Sequence, residues 1–194
     1  IAELVASRAE WVMRHLRQRS DMPPAPDRRE FVSGETFRYR GRQYRLLVVD
    51  RQDHQGVKLQ QGKLVVQLQG RPIGATRART VRAELVRWYR ERAALHLADQ
   101  VALWAGKMGQ QVAAVKITEP KKRWGSSAPD GTILMNWRII QGGKELVDYV
   151  VVHELAHLQH RDHSPAFWGL VGRWLPEYEQ VKLRLRERGR GMVW

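Results

Sequence analysis

The stretch from Val151 to Trp168 reads VVHELAHLQHRDHSPAFW and contains the spacing H-E-x-x-H. Residues four apart lie on the same face of an α-helix, so His153 and His157 can present two imidazoles to one metal ion. Zinc in a catalytic site takes three protein ligands and keeps a fourth position for water or substrate. Glu154 follows the first histidine and can act as a general base toward that water. The spacing therefore predicts one Zn²⁺ ion in a hydrolytic site.

The residues around this motif predict a buried helix. They are almost entirely apolar, namely Leu146, Val147, Tyr149, Val150, Val151, Val152, Leu155, Ala156 and Leu158. The β-branched run at 150–152 is also compatible with a strand, but the paired histidines and the Ser-Pro that follows favour a helix. Histidine and glutamate inside such a helix are costly unless they are paired or ligated, so a chance match to the pattern is the weaker interpretation.

Three side chains compete for the third ligand position, namely His160, Asp162 and His163. On one straight helix His160 lies about 10 Å beyond His153, too far for both to bind one zinc ion. The chain must therefore turn back after the motif. Ser164-Pro165 is typical of a new helix start, with serine as N-cap and proline at the first position. His163 directly precedes that helix, so we predict His163 as the third ligand, with Asp162 second and His160 outside the ligand set.

These motifs together resemble the YgjP-like metal-dependent hydrolases, a zincin-related family close to the SprT and WLM metallopeptidases. The family pattern is H-E-L-x-H, a third histidine six residues on, then phenylalanine and tryptophan, here His153, Glu154, Leu155, His157, His163, Phe167 and Trp168. Further similarity lies in KRWGSS at 122–127, NWR at 136–138 and the segment Phe31–Leu46, which resembles the family's middle hairpin. The family often has cysteine where this chain has Ser127, which argues against a thiol role. The resemblance implies three histidine ligands, a glutamate base and hydrolase activity, without fixing the substrate.

The first half of the chain is predicted to hold a helix, a linker and strands. Ile1 to about Arg19 has the periodicity of an amphipathic helix, and a proline-rich linker follows at 22–26. Strand-like patterns continue to residue 68, most clearly at Arg45–Val49 and Lys63–Leu68. We predict that Thr80 caps a long helix to about Lys107. Its core stripe is Leu85, Tyr89, Ala93, Leu97, Val101 and Trp104.

The second half is predicted to combine short strands with the metal helix. Strands are expected at 112–118, 121–127 and 132–137, and a last helix from about Pro176 to Arg188. Segregated strands and helices indicate an α+β, zincin-like metallopeptidase domain, in which a small mixed or antiparallel sheet packs on the H-E-x-x-H helix. We divide the chain into residues 1–74, with the N-terminal helix, linker and β-hairpin region, and residues 75–194, the catalytic domain.

The hairpin before the metal helix is predicted to bind substrate. Its edge can pair with an extended peptide by β-addition, and we place that edge at Trp124, Gly125 and Ser126. Glycine would let a substrate approach closely, although a bulge at Gly125 and core packing of Trp124 are the alternative. Charge that develops on the attacked group also needs a donor. Candidates are Arg123, Arg138 and Tyr149, although these residue types are as often structural.

The composition is strongly basic. The formal charge is +14, from 34 Lys+Arg against 20 Asp+Glu, and 26 of the basic residues are arginine. Such a surface can attract nucleic acid, a nucleotide or an acidic partner, but the charges are spread along the chain, which equally fits a solvated surface. The chain has no cysteine, which excludes disulfides and thiolate metal sites. It has no long apolar run, so we expect no membrane association and a cytoplasmic protein.

Three functions stay open at this point. The first is a zinc-dependent, peptidase-like hydrolase acting on a peptide or protein. The second is a nucleotide phosphoanhydride hydrolase on the same metal site, which the arginine excess would suit. The third is a nucleic-acid-associated protein in which the metal has a supporting role. Glu154 argues against the third, because a structural zinc site is closed by four ligands and has no use for a base.

Overall fold

The computed structural model describes residues 29–52, 55–120 and 122–194, and the predicted N-terminal helix and linker lie outside these residues. Its elements are β1 Thr36–Tyr39, β2 Arg42–Arg51, β3 Gly56–Gln60, β4 Lys63–Gln69, α1 Gly74–Met108, β5 Ala114–Thr118, β6 Gly125–Ser127, β7 Thr132–Asn136, α2 Lys144–Ala156, α3 Pro165–Trp174 and α4 Tyr178–Gly189. The α+β fold class is confirmed. Within the described residues, none of the helices combines the length and apolarity needed to cross a membrane.

The first sheet has four strands in the order β1-β2-β4-β3. β1 with β2 and β3 with β4 form antiparallel hairpins, whereas β2 and β4 pair in parallel. Both hairpin turns have two residues of positive φ, at Arg40-Gly41 and at Gln61-Gly62. Such turns match the right-handed twist of the strands they join. The predicted strands are confirmed, but the parallel pairing in the middle of the sheet was not predicted.

The second sheet has three strands in the order β5-β7-β6. β5 runs parallel to β7, and β6 runs antiparallel to it, so the predicted small mixed sheet is confirmed. β6 covers only 125–127, which is shorter than the predicted strand, and it lies at an edge of the sheet. The metal-motif helix α2 packs against β6. Within the part of the chain that the structure describes, no strand pairs with the outer edge of β6, which lies beside the motif.

The long helix α1 connects the two sheets. It begins at Gly74 with Ile73 as N-cap, so the prediction that Thr80 caps it is wrong. Thr80 lies inside the helix, where its hydroxyl donates to the carbonyl of Thr76 at 2.9 Å. The predicted apolar stripe is buried along its whole length. α1 ends at Gly109, whose left-handed conformation is typical of a helix C-terminus. The predicted division at residue 74 coincides with the start of this helix, and the division itself stays a prediction.

The turn between β1 and β2 is fastened to the segment that precedes α2. The Arg40 N–H donates to the Ile140 carbonyl at 2.8 Å, and the Gly41 N–H to the Gln141 carbonyl at 3.2 Å. A Cβ on Gly41 would lie 2.9 Å from the Cα of Gly143, so only glycine permits this approach. The first sheet thereby helps to fix where the metal helix starts.

Candidate metal centre

α2 holds its polar residues inside an apolar environment. Nearly all of its side chains are buried, including the run at 150–152 that also suggested a strand, and Glu145 in its first turn suits the helix dipole. The helix ends at Ala156, with His157 as C-cap. The next N–H groups fold back onto it, and that of His160 donates to the Ala156 carbonyl at 2.9 Å. The predicted reversal of the chain after the motif is confirmed.

α3 starts where the Ser-Pro pair predicted a helix. Ser164 is the N-cap and Pro165 occupies the first turn, although the serine side chain makes no capping hydrogen bond. Asp162 has its pKa lowered chiefly by a hydrogen bond from the Ser164 side chain, so its carboxylate is engaged at this helix start. His163 lies between the two helices, on a short exposed segment.

Three imidazoles converge at the junction of α2 and α3. One ring nitrogen each from His153, His157 and His163 lies within 4.8 Å of the other two. The Nε2 atoms of His153 and His163 are 3.2 Å apart. Two nitrogens bound to one tetrahedral zinc at about 2.0–2.1 Å would be roughly 3.3 Å apart. The donor set therefore fits one zinc ion, and the separation of the His153 and His163 nitrogens is the one expected of two of its ligands.

The other nitrogens of these rings differ in their environment. Nδ1 of His157 is 3.0 Å from the backbone carbonyl of His160. A carbonyl can only accept, so Nδ1 carries the proton and Nε2 keeps its lone pair for a metal. Nδ1 of His153 is buried and has no hydrogen-bond partner among the described residues. The His160 side chain is not in the cluster, but its backbone orients a ring that is.

Two aromatic residues of α3 frame the cluster. The fully buried Phe167 ring lies 4.4 to 4.9 Å from all three imidazole rings, measured between centroids. Trp168 stacks on His163 at 5.5 Å, and Tyr178 stacks on Trp168 at 5.3 Å. Sequence reasoning had placed Phe167 and Trp168 only in a family pattern, without a role. Their position directly after the third histidine was the available signal.

Burial favours the uncharged form of two of these imidazoles, His153 and His163. It lowers the pKa of His153 to about 3, and the neighbouring His157, His163 and Lys182 act in the same direction. Burial is also the largest cause that lowers the pKa of His163. The neutral imidazole is the form that binds a metal ion. His153 and His163 can therefore bind a cation at neutral pH without first losing a proton.

Glu154 lies against the edge strand β6. Its side chain is 6% exposed, and a Cβ on Gly125 would lie 2.7 Å from its Cγ and its Oε1. Burial raises the pKa of Glu154 to about 7, which the nearby Arg123 partly opposes. The missing side chain at Gly125 therefore makes room for the Glu154 carboxylate. The sequence had predicted that it would make room for a substrate.

Five of the six remaining predicted site residues line cavities at the histidine cluster, and Arg138 does not. Arg123, Gly125 and Ser126 line a cavity of about 760 Å³ that also contains the three histidines and Glu154. Tyr149 and Trp124 line a second cavity of about 380 Å³, which shares Arg123, Gly125, His153 and Glu154 with the first. Arg138 lines neither of these cavities: it donates to Glu119 at 2.6 Å and lies over the Trp137 ring. The structure thus brings all the predicted residues except Arg138 to the histidine cluster.

Residues of β6 line both cavities. The Asn136 N–H donates to the Trp124 carbonyl, and the Ala128 N–H to the Thr132 carbonyl, both at 2.8 Å. Antiparallel pairs alternate between hydrogen-bonded and non-bonded positions, so Ser126 also faces β7 while Gly125 and Ser127 face outward. The backbone groups of Gly125 and Ser127 are thereby directed away from β7, at the open edge.

The chain matches a known protein family and is similar in part to two solved structures. No match is found among curated proteins. Two solved metallopeptidase zymogens are similar to part of the chain: abylysin of Pyrococcus abyssi is 26% identical, with a TM-score of 0.43 over 46% of this chain and 90% of that one. Jannalysin of Methanocaldococcus jannaschii is 18% identical, with a TM-score of 0.43 over 47% and 95%. Residues 1–188 match the family described as YgjP-like, metallopeptidase domain. The chain therefore belongs to the YgjP-like metallopeptidase family.

Proposed function

We propose that the protein is a zinc-dependent, peptidase-like hydrolase with one Zn²⁺ held by His153, His157 and His163. The observation that carries this proposal is the convergence of three imidazoles beside a buried carboxylate. Three protein ligands leave a coordination position open for chemistry, and a structural zinc site would be closed by four. The lack of cysteine is compatible with the cytoplasm, the compartment we propose.

The chemistry follows from the residues around the cluster. A zinc ion in such a site lowers the pKa of water to about 7 and so supplies a nucleophile at neutral pH. Glu154 is the general base: it takes the proton from the attacking water and passes it to the leaving group. Arg123 lies on the same cavity wall and can donate to the oxygen that becomes negative. Tyr149, one turn before His153, is a second donor, because burial raises its pKa to about 12 and keeps its hydroxyl protonated.

The shape of the cleft suits an extended polypeptide. Two cavities, of about 760 and 380 Å³, meet at His153 and Glu154, so a chain can continue on both sides of the bond to be cleaved. The outward backbone groups of Gly125 and Ser127 can hydrogen-bond to that chain as an added strand. This arrangement holds a peptide by its backbone, which all sequences share.

Nucleotide phosphoanhydride hydrolysis is the second candidate. Arg123 and Arg161 both line the larger cavity, and a guanidinium group binds phosphate as well as carboxylate. The open edge of β6 favours a polypeptide substrate, because a nucleotide has no peptide backbone that could pair with the strand. Both substrates would use the same base and the same histidines.

An activity panel with a matched pair of variants tests the proposal. The zinc-loaded protein is assayed on an unfolded protein substrate and on nucleoside triphosphates, alongside Glu154→Gln and the exposed control Glu177→Gln. Glutamine keeps the size of glutamate but removes its basicity. We expect Glu154→Gln to bind zinc normally and to lose about 10²- to 10⁴-fold in rate, the usual contribution of a general base. Glu177→Gln should match the wild type in both measurements.

The results separate the candidates. Cleavage of the unfolded protein that depends on Glu154 supports the peptidase, and Glu154-dependent cleavage of triphosphates alone replaces it with the second candidate. Full turnover by zinc-loaded Glu154→Gln would remove Glu154 as the base. Failure of both substrate classes, with zinc bound, would contradict hydrolysis and favour the supporting role for the metal.

A further inference from the structure

A third cavity adjoins the metal cleft and is strongly basic. It measures about 720 Å³ and extends among α1, the segment before β6 and the C-terminal part of α4. Six cationic side chains line it, namely Arg82, Lys122, Arg123, Arg138, Arg186 and Arg190. Among the described residues that line it, Glu119 is the only carboxylate, and it accepts from Arg138 at 2.6 Å and from Arg90 at 3.5 Å. Like charges are thus gathered around one concave surface with almost no counter-charge in its walls.

Three of these cations form no ion pair with any residue that the structure describes. Within residues 29–52, 55–120 and 122–194, Arg82, Lys122 and Arg123 form no ion pair. Bringing like charges together costs electrostatic free energy, and an anionic ligand would recover it. The charge pattern therefore points to a ligand that carries several negative groups.

The cavity also has apolar walls and is continuous with the metal cleft. Trp124, Leu185 and Val193 supply apolar surface. The Trp124 ring is seated against Gly189, where a Cβ would lie 2.7 Å from the indole, so its position is fixed by α4. Trp124 and Arg123 line both this cavity and the smaller cavity beside Glu154. A chain that leaves the metal cleft past Trp124 enters the basic cavity directly.

We propose that this cavity is a specificity subsite for acidic side chains of the polypeptide substrate, an inference that rests on the proposed function. A substrate strand paired with β6 advances about 3.3 Å per residue. Gly125 contacts the base and Lys122 lines the basic cavity, three positions away along the chain. The acidic residues are therefore expected about three residues from the cleaved bond, on the side that passes Trp124. Glutamate suits the site because guanidinium groups bind carboxylates in a bidentate fork.

The geometry favours a peptide over a nucleic acid. A nucleic acid is bound through a series of phosphates and needs an extended basic surface. This site is instead a single concavity with an apolar wall, which holds a few side chains. Its link to the open edge of β6 also fits a polypeptide backbone and not a sugar-phosphate one.

Peptide binding to a variant that cannot cleave tests the subsite. Two fluorescein-labelled peptides of equal length, with glutamate or with glutamine at alternate positions, are titrated into zinc-loaded Glu154→Gln and followed by fluorescence anisotropy. We expect the glutamate peptide to bind roughly tenfold more tightly, and this preference to shrink as salt is raised. Adding Arg82→Gln and Lys122→Gln should reduce the preference to within about twofold. Adding Lys58→Gln and Lys63→Gln, an exposed pair in the first sheet, removes the same charge and should leave the preference intact.

Each outcome decides between the two proposals. Equal binding of both peptides, or equal loss of preference in the two double variants, would overturn the subsite while leaving hydrolysis untouched. A preference that depends on Arg82 and Lys122, in a protein that cleaves no peptide, would support the acidic site and contradict the proposed peptidase. Tighter binding of single-stranded DNA than of the glutamate peptide, lost in the same double variant, would replace the polypeptide with nucleic acid.

Discussion

Two segments meet at the histidine cluster, and they are built differently. α2 carries His153 and Glu154 and is surrounded by core on almost all sides, whereas His163 lies on an exposed segment between two helices. The positions on α2 are fixed by packing of the whole helix. The position of His163 depends on contacts of its ring with two aromatic side chains: Phe167 lies edge-on to it, and Trp168 stacks on it. The site thus combines residues on α2, which are fixed by core packing, with His163, which is held in place by neighbouring aromatic rings.

The largest effect is expected at His157, the C-cap of α2. His157→Ala removes a nitrogen whose ring is oriented by the backbone carbonyl of His160. Loss of an outer partner of a metal ligand typically costs about 10- to 100-fold in metal affinity, and loss of the ligand itself should exceed that. We expect elemental analysis of the purified variant to find almost no zinc, with the fold retained by circular dichroism. Full zinc content in this variant would exclude His157 as a ligand.

The second prediction compares the exposed side with its neighbour. His163→Ala removes a nitrogen that lies 3.2 Å from that of His153, whereas His160→Ala keeps the only group of His160 that contacts the cluster, its carbonyl. Zinc affinity, measured by competition with a chelator, should fall more than about 10- to 100-fold for His163→Ala and stay near wild type for His160→Ala. Similar losses in the two variants would mean that the exposed segment does not supply the third ligand.

The third prediction concerns the contact that fixes the base. Gly125→Ala places a Cβ 2.7 Å from the Glu154 side chain, so either the carboxylate or β6 must move. We expect zinc to remain bound, the hydrolytic rate to fall, and the free energy of unfolding to drop by about 1–3 kcal/mol, as for other overpacked sites. The matched control is Gly169→Ala, an exposed helical position with open space around it.

The control should behave in the opposite way. Alanine is favoured over glycine inside a helix by about 0.8–1.0 kcal/mol, so Gly169→Ala should raise the thermal midpoint and leave the rate unchanged. If Gly125→Ala is as active as the control, then Glu154 is not held in place by this strand.

The site was more predictable from sequence than its surroundings, for a physical reason. The prediction of the site used the spacing of the histidines, the axial distance that argued against His160, and the Ser-Pro helix start. Each of these depends on residues close together in the sequence, so no long-range contact had to be known. Arg138 looked as suitable a donor as Arg123, but its partner is Glu119, nineteen residues away, and no local pattern reveals that pairing. Gly125 was recognised as a place of close approach, but its neighbour comes from α2, twenty-nine positions on.

The fold was also predictable where local patterns decide it and unpredictable where distant segments meet. Apolar periodicity predicted α1 and most strands, because burial repeats with the period of the element. Thr80 misled the prediction of a helix start, since a threonine hydroxyl can cap a helix or bond back within it, and neighbouring residues do not decide which. The parallel pairs, β2 with β4 and β5 with β7, join segments that are not adjacent in the chain, so turn signals carried no information about them.

The length of α1 restricts where insertions and deletions can occur in related sequences. Its 35 residues span about 52 Å, and its sides contact β3, β4, β5 and α2. Deleting one residue near its middle would turn everything beyond that point by about 100° and shift it by about 1.5 Å, so contacts on one half would point the wrong way. Length changes should therefore be confined to hairpin turns such as Gln61-Gly62, while α1 keeps a constant residue count. A set of related sequences can be searched for that asymmetry.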